Sequence, residues 1–83
     1  MLLEMKTVAY SRAALNDLRR HAGRAKSILS KFRAYAATGA GDVKTMKDSS
    51  GKRLRIGDFR AIFEETVTEI LVHRIGHRAT IYK

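Results

Sequence analysis

Gly51-Lys52-Arg53-Leu54-Arg55-Ile56-Gly57-Asp58-Phe59-Arg60-Ala61-Ile62-Phe63-Glu64 is the stretch from which the fold can be read. From Lys52 the pattern has period two. Leu54 and Ile56 alternate with Arg53 and Arg55, and Phe59, Ala61 and Phe63 alternate with Arg60, Ile62 and Glu64. Successive side chains on a strand point to opposite faces, so each run reads as a strand. Gly57-Asp58 is the turn signal between them. A two-residue hairpin loop sets Ile56 opposite Phe59, Arg55 opposite Arg60, and Leu54 opposite Ala61.

That register places two arginines face to face, with Arg53 two residues away on the same side. Like charges directly opposite one another cost a sheet stability. An anion that bridges them is the simplest reason to hold them together, and phosphate suits the guanidinium fork.

Working outward, a second turn at Glu65 to Thr68 leads into Glu69-Ile70-Leu71-Val72-His73-Arg74-Ile75, apolar on both sides as a central strand is. Gly76 ends it, and a short tail, His77 to Lys83, follows. On the N-terminal side, Thr38 to Gly51 has the glycine, serine and aspartate content of a loop. Before it, Ala25, Ile28, Leu29, Phe32 and Ala36 recur at i, i+3, i+4, i+7 and i+11, one face of a helix. Ala14, Leu15 and Leu18 mark an earlier helix over residues 12–21, with Ser11 as its N-cap and Gly23 as a break. Lys6 to Tyr10 reads as a strand. The expectation is an α+β fold in the order β-α-α-β-β-β. A small, antiparallel-rich sheet packs against an N-terminal pair of helices, in a single domain over residues 1–83.

The 83 residues carry 17 Lys+Arg against 8 Asp+Glu, a formal charge of +9. So strong a positive field favours polyanions. There is no cysteine, which excludes disulfides and thiol chemistry, and the three histidines (His21, His73, His77) match no zinc-ligand spacing. Neither a metal nor another cofactor is expected. No apolar run is long enough to span a bilayer, and the first residues lack the apolar core of a signal peptide, so no membrane partner and a cytoplasmic location are expected.

The tail adds His77, Arg78 and Tyr82. Tyr82 can stack on a base or, with its pKa lowered by neighbouring cations, accept a proton. Glu64 and Glu65 point to opposite sides if extended, and no phosphate loop or nucleophile elbow is present. Catalysis on RNA would then rest on cations plus Tyr or His, with the RNA's own 2′-hydroxyl attacking.

The hairpin stretch quoted above resembles the central hairpin of RelE/ParE toxins. Ile75-Gly76-His77-Arg78, followed by Ile81-Tyr82, resembles the terminal motif of the RelE branch, and Ser11 to Leu18 resembles the family's first helix. The resemblance implies a type II toxin held inactive by a cognate antitoxin, with operator DNA met only indirectly, through that antitoxin. In the RelE branch it implies metal-independent, ribosome-dependent cleavage of mRNA, and so inhibition of translation. The alternative is a ParE-like inhibitor of DNA gyrase without nuclease activity. Arg60 corresponds to the hairpin arginine on the scissile phosphate, Arg78 to the terminal arginine that helps as acid or phosphate ligand, and Tyr82 to the terminal tyrosine. Lys52, Arg53 and Arg55 fall near the basic residues of the preceding strand, and the base is left open between Tyr82 and His77. Two departures stand out: arginines largely replace a lysine pair, and Arg78 and Tyr82 are closer in sequence than in that pattern.

Overall fold

The computed structural model describes residues 5–47 and 51–81. Strand β1 (Thr7–Tyr10) is followed by helices α1 (Arg12–Arg20) and α2 (Ala22–Thr38). Strands β2 (Asp42–Thr45), β3 (Lys52–Ile56), β4 (Phe59–Glu65) and β5 (Glu69–His77) complete the chain. The expected α+β order holds, with one strand more: β2 lies inside the segment read as loop. The five strands form one sheet in the order β1-β5-β4-β3-β2, with β1 parallel to β5 and every other pair antiparallel.

The hairpin register is the one read from the sequence: Ile56 faces Phe59, Arg55 faces Arg60 and Leu54 faces Ala61. Gly57 has φ of 58°, and among the described residues no non-glycine residue has positive φ. Positive φ at the first of two loop residues fits a type II′ turn, whose twist matches that of the strands it joins. The apolar face of the sheet lies under the helices. Leu54, Phe63, Ile70, Val72 and Ile75 are buried there against Ile28 and Phe32 of α2. Phe32 and Phe63 meet edge to face with ring centroids 5.5 Å apart, a favoured aromatic arrangement. Leu29, expected on the same stripe, is 40% exposed.

The helices begin and end for local reasons. Ser11 Oγ accepts the Ala14 N–H at 3.0 Å, as an N-cap does, and donates to the His73 carbonyl at 2.8 Å. The interhelical break falls at His21, not Gly23, which sits in the first turn of α2. His21 leaves helical geometry (φ −114°, ψ 48°) and sets its ring 4.8 Å from that of Phe59.

Two irregularities of β5 shape everything downstream. Its pairing with β4 shifts between Ile62 and Phe63, which face Arg74 and Val72, leaving His73 as the extra residue of a β-bulge. Beyond Val72, β1 no longer covers the other edge of β5, and α1 closes it instead. Asp17, 2% exposed, accepts the Ile75 N–H at 2.8 Å and Arg74 Nε at 2.9 Å. Burial alone would raise the Asp17 pKa. The hydrogen bonds from Arg74 and Ile75 outweigh it and hold the carboxyl below its ordinary 3.8. Removing the acceptor strands a buried N–H, so Asp17→Ala should lower the unfolding free energy by about 2–4 kcal/mol. Arg74→Ala should cost less, since that side chain is 55% exposed. Urea denaturation of both variants checks the order.

Candidate nucleic-acid interface

Alternation carries Arg53 and Arg55 of β3 and Arg60 and Ile62 of β4 to the face of the sheet away from the helices. Two rows of side chains cross that face. In one, Asp42, Arg55 and Arg60 stand on neighbouring strands. In the other, Lys44 and Arg53 lead to Ile62. Asp42, Lys44, Arg53, Arg55 and Arg60 line a cleft of about 80 Å³. Four cations thus share a small space with one carboxylate, and Asp42 stands 3.9 Å from Arg55 Nη1. Arg60 Nη1 donates to the carbonyls of Gly57 (2.8 Å) and Phe59 (2.9 Å).

Arg53, Arg55 and Arg60, all expected at the site, are brought together. Lys52 is not with them. It shares the parity of Leu54 and Ile56, so it turns toward the helices, where its Nζ lies 2.9 Å from Glu65 Oε1. His77 is also apart. Its Cα partner is Phe59, whose ring is 5.8 Å away, and its Nδ1 accepts the Ala79 N–H at 3.1 Å. Arg78 sits at the hairpin tip, with its N–H donating to the Asp58 carbonyl (2.8 Å) and its Nε 3.9 Å from Asp58 Oδ1. Tyr82 lies outside the described residues.

Two cleft residues, Asp42 and Lys44, are absent from the sequence reading. The available signal was the alternation Asp42-Val43-Lys44-Thr45, in which only Val43 packs against the core. Facing Arg60 on β5 is Gly76, which leaves room for the tail to turn back. A Cβ there would stand 3.3 Å from Ile81 Cβ, so Ile81 lies over this glycine at the end of the Arg60 row.

On the helix side, Glu65 gathers a second charge cluster. Lys6 Nζ is 2.6 Å from its Oε2, and the Tyr35 hydroxyl donates to Oε1 at 2.7 Å, beside Lys52. Burial would push the Glu65 carboxyl up. Hydrogen bonds from Lys6, Lys52 and Tyr35 outweigh it and hold the pKa at about 2, below the ordinary 4.5. Burial, reinforced by the Glu65 hydrogen bond and charge, pushes the Tyr35 phenol to about 12.

The architecture defines a class: a small α+β protein with a cationic cleft on the open face of a mixed sheet. Comparison then gives the family. The family described as the ParE toxin of type II toxin-antitoxin system, parDE, matches residues 8–82. The chain belongs to this family, within the RelE/ParE superfamily of toxins. Its fold is similar to that of the toxin–antitoxin complex RelBE2 from Mycobacterium tuberculosis, with a TM-score of 0.75 and 19% identity over 94% of this chain and 97% of that one. It is similar to the archaeal RelE–RelB complex from Pyrococcus horikoshii, at 0.75 and 15% over 92% and 98%. YafQ from E. coli gives 0.67 and 15% over 94% and 99%. No curated protein sequence matches the chain. Among the described residues, no helix is long and apolar enough to cross a membrane.

The Glu65 cluster predicts an acid response. A depressed carboxyl pKa adds stability that is complete above the unfolded-state value and is lost as pH falls through the folded one. Unfolding free energy should therefore decline from about pH 4.5 toward about pH 2. Glu65→Gln should be less stable than the parent at pH 7, by about 1–3 kcal/mol, and should show a flatter decline. Denaturant titrations across that pH range check both.

Proposed function

We propose that this toxin binds RNA on the open face of its sheet and cleaves mRNA engaged by the ribosome. The observation that carries the reading is the cleft, where Lys44, Arg53, Arg55 and Arg60 converge. Guanidinium forks match phosphate oxygens bidentately, and a site formed by several of them suits the charge that accumulates on a phosphate under attack. Arg60 is the principal ligand, because it faces Arg55 directly and, among the described residues, its side chain bonds to two backbone carbonyls. The attacking nucleophile is the 2′-hydroxyl of the RNA itself, the group that distinguishes RNA from DNA. Lys52 and His77 act from the other face, in stability and tail placement.

The partner that silences the toxin is a cognate antitoxin. The similar structures from M. tuberculosis and P. horikoshii are complexes of that kind. A +9 chain fits an acidic or amphipathic antitoxin segment that neutralises its surface.

A second reading, inhibition of DNA gyrase without nuclease activity, is favoured by the family description and by the distance of His77 from the cleft. One parallel assay separates the two. In a translation extract the chain should cut mRNA when ribosomes engage it and leave free mRNA intact, while gyrase supercoiling proceeds unchanged. Intact mRNA with blocked supercoiling would select the second reading. Arg60→Ala should remain folded and lower cleavage by roughly 10²–10³-fold, the usual effect of losing one transition-state donor. It should also abolish growth inhibition on expression.

A further inference from the structure

The cleft supplies charge for a phosphate, but its one carboxylate, Asp42, stands beside Arg55 among four cations, and His77 lies on the opposite face. The bulge in β5 offers an imidazole on the same face. We infer that His73, oriented by Glu64, is the general base that deprotonates the 2′-hydroxyl. The inference rests on the nuclease reading above.

Three observations converge on His73. First, it is the extra residue at the shift between Ile62 and Phe63, and bulges beside functional sites serve to re-aim a side chain. Second, its Nε2 is hydrogen-bonded to the Glu64 carboxylate. Glu64 stands between Phe63, which is buried, and Glu65, which is bonded to Tyr35 of α2, so it projects from the open face. His73 is thereby held on the face that carries the cleft. Third, the bulge sits two to three residues along β4 from Arg60, about 7–10 Å, and one strand over. The Arg60 guanidinium now turns back to the Gly57 and Phe59 carbonyls, and by swinging from them toward β5 it would share one phosphodiester with the histidine.

The pairing suits the chemistry. In the neutral ring, a carboxylate accepting from Nε2 favours the hydrogen on that nitrogen and leaves Nδ1 as the acceptor, the arrangement in which an orienting carboxylate readies an imidazole for base work. The charged groups around the ring are Glu64 on β4 and Arg74 beside it on β5, and Arg74 is engaged by Asp17. In the step, the 2′-oxygen bonds to phosphorus as its proton passes to Nδ1. The phosphorus–5′-oxygen bond breaks, and the departing oxygen takes a proton from water. The resulting hydroxide collects the proton from the imidazolium. The products are a 2′,3′-cyclic phosphate and a 5′-hydroxyl.

Single-turnover cleavage of ribosome-bound mRNA tests this, with ribosome binding measured separately. His73→Ala and His73→Gln should each lower the rate by roughly 10²-fold with binding unchanged, and added imidazole should restore part of the His73→Ala loss. Glu64 is a positioning residue. Glu64→Gln should lower the rate by roughly tenfold, and Glu64→Asp should recover most of it. Variants that cleave at the parent rate, or a His73→Ala loss that imidazole does not touch while His73→Gln stays active, would overturn the assignment and leave the nuclease reading standing. A parent chain that cuts no mRNA would remove both.

Discussion

The carboxylate of Asp17 is the contact on which the C-terminal half of the sheet depends. It sits in α1, is nearly inaccessible, and accepts the Ile75 N–H where β1 has run out. A buried backbone donor left without a partner is costly, so this acceptor stands in for the missing strand. Ser11 performs the complementary service one step earlier, with its N–H donating to the Val72 carbonyl and its hydroxyl to the His73 carbonyl. Together they clamp both sides of the bulge. The bulge in turn decides which β5 side chains meet the open face, and Gly76, at the end of the Arg60 row, decides where the tail can turn.

Charge is sorted by the two faces of the sheet. On the helix side, Asp17 and Glu65 are each surrounded by donors: Arg74 and Ile75 for one, Lys6, Lys52 and Tyr35 for the other. In the cleft on the open face the ratio reverses, and Asp42 stands alone among Lys44, Arg53, Arg55 and Arg60. The carboxylates are few, and two of the eight are committed to holding helices on the sheet. An excess of cation on the other face follows from that allocation. The fold therefore keeps its buried ion pairs and its excess of positive charge in separate layers.

The hairpin was legible because period-two alternation and Gly57-Asp58 specify both register and face. The inward turn of Lys52 was implicit in the same rule, since residues 52, 54 and 56 share a parity. Strand β2 was obscured by its brevity and by the glycines and serines around it. Its pairing with β3 is a tertiary event that four residues cannot announce. The largest displacement between reading and structure is His77. Strict alternation from Ile70 and Val72 would turn His77 outward with the arginines. The extra residue at His73 reverses the parity, so Ile75 and His77 turn toward the helices and Gly76 outward. The break in spacing from Ile70 and Val72 to Ile75 is the trace it leaves in the sequence. Nothing in the local composition marks it as a bulge rather than the end of a strand. Tyr82, outside the described residues, has no placement to compare.

Strand β2 ends the sheet, and its outer edge presents unpaired backbone groups. Such edges recruit strands from other molecules unless they are short, charged or twisted away. β2 is four residues long and carries Asp42 and Lys44, so the cleft residues double as guards against edge-to-edge assembly. Under the proposed function Lys44 would therefore serve twice, toward the ligand and against self-association. A chain detoxified by neutral substitutions in β2 would then lose that barrier as well. One detoxified at Arg60, an interior strand away from that edge, would keep it.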